Sequence, residues 1–264
     1  MALFKFRREK LKIGILGCGA IGSVLAKAID KDISGAKVVA IEDSIKKKAN
    51  VLAAQLKSKP KVVSFNKLIG MSDLVIEAAG KEFVKVIAEV TFSKGKDLMC
   101  MSVGGVHQGL LDVAEQCKCN VYIPSGAIAG LDAVKAAANG KIKSVTLVTT
   151  KPPKSLSGYE NVKVRKVVYS GDAMKAVELF PKNINVSAAL SLAGIGFKKT
   201  KVKIIVDPSV KRNIHEIVVE GDFGKITTKT ENKPSPLNPK TSYLAVLSAI
   251  AMVKRIVGKV EIGS

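Results

Sequence analysis

Gly17-Cys18-Gly19-Ala20-Ile21-Gly22 has the residue types and spacing to seat a pyrophosphate. In a G-x-G-x-x-G turn of this kind Gly17 permits the tight bend, Gly19 lets backbone approach the phosphates, and Gly22 lets the following helix lie close on the sheet. Ala20 and Ile21 stand in the first helical turn, where unpaired N–H groups and the positive end of the helix dipole attract anions. An acid that accepts the ribose hydroxyls belongs some 20 residues further on. Glu42 and Asp43 lie 20 and 21 residues beyond Gly22. A carboxylate there repels a 2′-phosphate and favours NAD, while Lys46, Lys47 and Lys48 leave NADP possible.

Proton transfer near neutral pH narrows to two histidines. His107 follows the glycine turn Ser102-Val103-Gly104-Gly105 and reads as a surface or helix-start residue. His215 lies in Arg212-Asn213-Ile214-His215-Glu216-Ile217. Ile214 and Ile217 cannot share a strand face, so the pattern leaves open whether the ring is structural or catalytic. Gly104 follows a strand, at the edge where α/β sheets bind ligands, and is either a backbone approach to a nicotinamide or a plain turn. Pro124-Ser125-Gly126-Ala127 also joins a strand to a helix, and its small residues suit a loop laid against a flat ring. Phe180-Pro181-Lys182-Asn183-Ile184-Asn185-Val186 and Asn238-Pro239-Lys240-Thr241-Ser242 each set a cation and amides or hydroxyls before a helix. Both are either helix caps or contacts for a carboxylate-bearing substrate. Lys182, Lys240 and Thr241 are the candidates for that contact. No metal site is expected, because Cys117-Lys118-Cys119 lacks a second ligand pair.

The elements that must hold these residues alternate in the first half. Strands are expected at 13–16, 37–41, 61–63, 74–77, 97–101 and 121–123, with helices at 21–29, 45–56, 82–92 and 109–117. That order implies a parallel sheet covered on both faces. After Pro124 the rhythm changes. Helices read at 131–138, 172–180, 186–193 and 241–257, and strands at 145–150, 201–206, 213–220 and 225–230, the last three alternating in the antiparallel manner. The expected fold is α/β, a Rossmann dinucleotide-binding domain at 1–123 and a mixed α+β domain at 124–240. A final helix in 241–264 is expected to return to the first domain.

Composition sets the outer bounds. The 264 residues are 47% hydrophobic and only 5% aromatic, so the core is built from Val, Ile, Leu and Ala. Forty-three Lys and Arg against 22 Asp and Glu give a net charge of +21. The lysines are spread along the whole chain without aromatic or Arg-rich reading motifs. A solvated cationic surface or a field that focuses small anions explains them better than a nucleic-acid surface. Cys18, Cys100, Cys117 and Cys119 read as reduced thiols. The basic start and glycine-rich apolar stretch mimic a secretory signal, but Lys27 and Asp30 follow directly and no later run is long enough to span a bilayer. A cytoplasmic protein with no membrane partner is expected.

The ordered set GCGAIG (17–22), SVGG (102–105), IPSGAIAGLDA (123–133), TTKPP (149–153), LFPKNINVSAALSLAG (179–194), NIHEI (213–217) and NPKTSYLA (238–245) resembles the L-aspartate dehydrogenase family along nearly the whole chain. The resemblance implies a Rossmann domain, a dimer-forming α+β domain and NAD(P)-dependent oxidative deamination of L-aspartate to iminoaspartate. It also implies the reverse reductive amination and a supply of iminoaspartate to NAD biosynthesis. By the same resemblance His215 matches the active-site histidine, Ala127 an alanine at the cofactor, and Asn185 an asparagine beside the nicotinamide. Two departures are Glu42-Asp43-Ser44, which shares the ribose contact between two acids, and Lys151, where relatives more often carry Arg. The rival readings are a two-domain reductase such as homoserine dehydrogenase or dihydrodipicolinate reductase, and a non-catalytic, nucleotide-sensing nucleic-acid binder.

Overall fold

The computed structural model describes residues 9–180, 185–236 and 238–263. Its first half runs β1 (Leu11–Leu16), α1 (Ala20–Asp32), β2 (Ala36–Glu42), α2 (Lys46–Gln55), β3 (Lys61–Val62), α3 (Phe65–Met71), β4 (Leu74–Glu77), α4 (Val84–Ser93), β5 (Asp97–Cys100), α5 (Gln108–Gln116) and β6 (Val121–Tyr122). All six strands are parallel in the order β3-β2-β1-β4-β5-β6. This is the doubly wound dinucleotide-binding arrangement, in which ligands gather beyond the carboxyl ends of the strands where the order reverses. Ile13, Ile15, Leu16, Leu74, Val75 and Ile76 are buried with no polar alternation, as strands covered on both faces require. Helix α1 buries Gly22, Leu25, Ala26 and Ile29, a single stripe at helical spacing.

The second half comprises α6 (Leu131–Ala137), β7 (Ile142–Lys151), β8 (Lys166–Asp172), α7 (Ala173–Leu179), α8 (Asn185–Ala193), β9 (Lys201–Val206), β10 (Asn213–Gly221), β11 (Gly224–Asn232), β12 (Pro234–Ser235), β13 (Asn238–Ser242) and α9 (Tyr243–Val257). Five of these strands form a sheet in the order β11-β10-β7-β9-β8, in which β7 and β9 are parallel and the other pairs antiparallel. One face of that sheet carries Val145, Leu147, Val202, Ile204, Ile217 and Val219, which pack with Val134, Ala173, Ala176 and Leu190 of α6, α7 and α8. Val148, Ile214, Glu216 and Val218 lie on the other face and stay partly exposed.

Contacts divide the chain into two units. One holds the residues up to Cys100, His107–Tyr122 and Ile250–Val260, and the other Met101–Val106, Ile123–Ala249 and the residues after Val260. The Ser102–Gly105 turn therefore groups with the second unit, and α9 has residues in both.

Three elements depart from the sequence reading. Helix α3 occupies a stretch read as loop. Strand β8 precedes α7, where only a helix was expected. The proline-punctuated segment before α9 is a β-ribbon, with β12 paired to β13. Thr241 is therefore a strand residue, while Ser242, the last residue of β13, directly precedes α9. His107 is the N-cap residue of α5, as one of its two readings had it.

Candidate functional site

In the first unit the turn after β1 is shaped by its glycines. Gly17 has a φ of +96°, and a Cβ there would strike the backbone of Ala78. A Cβ on Gly22 would strike the carbonyl of Gly17, so this residue lets α1 close on the turn. Gly19 is different: a Cβ built on it meets nothing within 4 Å. Open space at that position and crowding at the other two is the pattern expected when a ligand, not protein, comes up to the middle glycine. Ala20 and Ile21 open α1, and their N–H groups belong to the first turn, where a helix offers no internal partner.

A cavity of about 450 Å³ lies beside this turn, lined among others by Gly17, Gly19, Glu42, Asp43, Lys48 and Ala79. The two acids play unequal parts. Asp43 Oδ2 accepts a hydrogen bond from the Cys18 N–H at 2.7 Å and Oδ1 accepts from the Ile45 N–H at 2.8 Å. Each oxygen keeps a lone pair for a ribose hydroxyl, in a geometry fixed before any ligand arrives. Glu42 has its carboxyl pushed up, first by burial and then by the neighbouring Asp43 charge. The Cys18 thiol is pushed up to about 12 by burial, then by Asp43 and Glu42, and stays protonated in the turn. The residues present fit a dinucleotide: a phosphate approach at Gly19, a helix start beyond it, and a preset acid at the ribose position.

Glu77, which sequence reasoning passed over, shapes the opposite wall. Its side chain is wholly buried at the carboxyl end of β4. Oε1 accepts from the Ala79 and Gly80 N–H groups, both at 2.9 Å, and Oε2 accepts from the Cys100 thiol at 3.3 Å. The carboxylate thereby fixes the loop that presents Ala78 and Ala79 to the cavity.

The second unit gathers the remaining candidates. Gly104 donates its N–H to Asn185 Oδ1 at 3.0 Å, and Asn185 Nδ2 donates to the Met101 carbonyl at 3.1 Å. The asparagine at the start of α8 thus braces the Ser102–Gly105 turn and retains one N–H for another acceptor. Ala127 is buried, and its carbonyl accepts from Thr230 Oγ1 at 2.9 Å and from Asn232 Nδ2 at 3.0 Å. Gly126, in a left-handed conformation (φ +69°), donates its N–H to Ser248 Oγ. The 124–130 loop is thus laid onto the end of β11.

His215 pairs across the strands with Thr149 on β7 and Thr230 on β11, so the three side chains share a face. That face is the buried one, continuing the row of Val219 and Ile217. The direction the sequence left open is therefore inward. Thr149 Oγ1 lies 3.0 Å from His215 Nδ1. The tautomer protonated on Nδ1 donates to that hydroxyl and leaves a lone pair on Nε2, the form a base needs. Burial, and secondarily the charge of Lys151, push the ring down to about 3, so it is neutral at physiological pH. Lys151 itself, buried at the end of β7, is pushed down to about 8 by desolvation.

Of the substrate-contact candidates, Lys182 lies outside the described residues, as does the side chain of Lys240. Thr241 is a partly buried residue of β13. No grouping of three or more His, Cys, Asp or Glu able to hold a metal occurs among the described residues.

Residues 17–124 match the model of the homoserine dehydrogenase NAD-binding domain, and residues 132–256 that of the aspartate dehydrogenase C-terminal domain. An L-aspartate dehydrogenase from Methanosarcina barkeri is 44% identical over 270 residues, covering 96% of this chain and 100% of that protein. The chain belongs to the L-aspartate dehydrogenase family. A further member, from Methanothermobacter thermautotrophicus, is 39% identical over 259 residues, 96% of this chain and 99% of its own length. The crystal structure of aspartate dehydrogenase from Thermotoga maritima has a TM-score of 0.76 at 26% identity, covering 97% of this chain and 100% of that one. Myo-inositol dehydrogenase from Lactobacillus casei, in complex with NAD(H) and myo-inositol, shares the fold with a TM-score of 0.60 at 13% identity, covering 94% of this chain and 85% of that one. The first unit is an NAD-binding domain. The likeness to homoserine dehydrogenase is to this front half, and the back half matches aspartate dehydrogenase.

Proposed function

We propose that the chain oxidises L-aspartate to iminoaspartate, with NAD as the preferred acceptor and NADP tolerated. The observation that carries this reading is a buried, neutral His215 held by Thr149 in a domain of the aspartate dehydrogenase type. An amine must lose a proton before its α-carbon can give up hydride and form a C=N bond. A neutral imidazole with a free Nε2 lone pair is suited to take that proton. Bound NAD supplies the hydride acceptor. What this chain provides is position and proton management: Gly17 to Gly22 and Asp43 seat the dinucleotide, while in the second unit Ala127, Gly104 and Asn185 belong to braced loops. The reverse, reduction of the iminoaspartate that oxaloacetate forms with ammonia by loss of water, with His215 returning the proton, follows by microscopic reversibility.

The test is NADH formation with L-aspartate against a panel of other amino acids, with homoserine among them. Selective turnover of aspartate is expected, and selective turnover of homoserine would replace this reading. Replacing His215 by Ala should lower kcat by about 10²–10⁴-fold while NAD binding, read by nucleotide fluorescence, changes little. An unchanged kcat removes His215 from the chemistry.

The family resemblance further supports a homodimer, a cytoplasmic setting and a supply of iminoaspartate to NAD biosynthesis. For the dimer the chain offers the sheet face opposite α6 to α8, where Val148, Ile214 and Val218 remain partly exposed. Its four cysteines form no disulfide with one another, as a reducing compartment allows. No described helix is long and apolar enough to cross a membrane.

A further inference from the structure

Strand β11 turns Ile226, Thr228, Thr230 and Asn232 inward, on the face that carries Val219, Ile217 and His215 of β10. The row is partly buried as far as Thr230 and ends in Asn232, which is 4% exposed. Val or Ile would serve a sheet core there without a polar partner, whereas a hydroxyl or amide must find one or carry its desolvation cost. The three polar residues find theirs in one place, the loop at 127–129. Thr228 Oγ1 donates to the Ala129 carbonyl at 3.2 Å, and Thr230 Oγ1 donates to the Ala127 carbonyl at 2.9 Å. Asn232 Nδ2 donates to the same Ala127 oxygen at 3.0 Å, and at 3.4 Å to Thr230 Oγ1, which ties the two donors together. Both lone pairs of the Ala127 oxygen are thereby taken.

The loop lies outside every helix and strand. At its two ends Gly126 and Gly130 are left-handed, with φ of +69° and +84°. Ile128 anchors it in the aliphatic core. Thr228 packs so closely that a Cβ on Gly130 would meet its Cγ2 at 2.8 Å. Strand β11 therefore decides where Ala127 stands.

That placement bears on His215. The register sets Thr230 directly opposite His215 on one flank and Thr149 opposite it on the other. Side chains paired in this way have Cβ atoms about 4.5–5.5 Å apart. Thr149 meets the ring itself at Nδ1, whereas the Thr230 hydroxyl turns to the loop. Loop backbone is thus held one side chain away from the imidazole.

We propose that Thr230 and Asn232 are positioning residues for proton transfer at His215: they fix the 127–129 loop on the β11 side of the ring, so that an amine reaching the imidazole is bounded there by a preset backbone. This rests on the aspartate reading above, in which His215 is the base. Neither residue touches the reacting atoms, and their effect is on geometry, where a displacement of about 1 Å can cost about 10²-fold in rate.

Thr230→Val is nearly isosteric and removes one donor, Thr230→Ser keeps it, and Asn232→Leu removes the other. In the variant carrying both Thr230→Val and Asn232→Leu, amide hydrogen exchange of a peptide spanning 126–130 should quicken about tenfold or more. Its kcat should fall about 10- to 10²-fold while KM for aspartate changes less than about threefold. The isotope effect of an α-deuterium on kcat should grow as chemistry becomes the slow step. Thr230→Ser should leave exchange and kcat close to those of the wild type. Unchanged exchange overturns the tether. Faster exchange with unchanged kcat and isotope effect, or a Thr230→Ser variant as slow as Thr230→Val, overturns the positioning role. Melting temperatures report folding, and the single variants, each of which leaves Ala127 one donor, keep the test decisive should the double variant unfold. If the wild type turns over a different amino acid and these variants slow that reaction in the same way, the aspartate reading falls and the positioning pair stands.

Discussion

His215 carries a stability signature that is independent of turnover. Its ring titrates at about 3 in the folded chain against 6.5 when unfolded, because burial and then Lys151 disfavour the charged form. Between those values the unfolded chain holds the additional proton, so this contribution is complete above pH 6.5 and is lost as pH falls toward 3. Lys151, at about 8, stays cationic throughout that window and adds no titration of its own. The melting temperature of the wild type should therefore fall more steeply from pH 6.5 to pH 4 than that of His215→Gln, by up to about 1.4 kcal/mol of stability per pH unit. Parallel curves in calorimetry would mean that the ring is hydrated. Asp43 permits a comparable test. Its carboxylate is pinned by two backbone N–H groups, so Asp43→Ser removes both a preset ribose acceptor and the charge that repels a 2′-phosphate. KM for NAD should rise about tenfold or more while the ratio of NADP to NAD efficiency increases. An unchanged ratio would assign the discrimination to Glu42.

Among the elements, the dinucleotide half was legible because buried parallel strands are continuous apolar runs and G-x-G-x-x-G marks the first turn without ambiguity. Helix α3 was not, since seven residues with Gly70 inside give too short a period to register. Strand β8 escaped for another reason: its register shifts between Val167 and Tyr169, and Val167 is exposed, so the alternation that marks a strand is broken. Lys151 and Asn213 had a signal that was available. Extending the inward parity of Val145 and Leu147, and of Val219 and Ile217, reaches Thr149, Lys151, His215 and Asn213 in turn, but Ile214 and Val218 set up the competing parity that left the direction of His215 open. Glu77 gave no such sign, because a carboxylate that ends an apolar strand reads as a surface residue. Its removal tests what the end of β4 does. Glu77→Ala leaves the partly buried Ala79 and Gly80 N–H bonds without their acceptor, at about 1 kcal/mol for each lost hydrogen bond. The expected result is a lowered melting temperature together with weaker NAD binding and an unchanged KM for aspartate. A loss of stability with intact NAD affinity would reduce Glu77 to a structural role.

At the scale of the whole molecule the net charge of +21 is the property no single site explains. Both expected ligands are anions: aspartate has two carboxylates against one ammonium, and a dinucleotide has its pyrophosphate. Lysines distributed from Lys10 to Lys259 produce a positive field over the surface, and such fields raise the local concentration of anions and their rate of arrival. They do not choose between ligands, a task for fixed groups such as the preset Asp43 carboxylate. A distributed field and a buried contact respond differently to salt. Exposed charges more than a Debye length apart, about 10 Å at 0.1 M, are screened, whereas a lysine that is 5% exposed keeps most of its effect. Raising sodium chloride from about 20 mM to about 500 mM should therefore lower kcat/KM for both substrates several-fold through association, with kcat nearly constant. The preference for aspartate over alanine should fall by less than the efficiency itself, because groups inside a buried site are shielded from the added ions. If preference and efficiency fall together, the selectivity comes from the surface field and not from groups buried in the site.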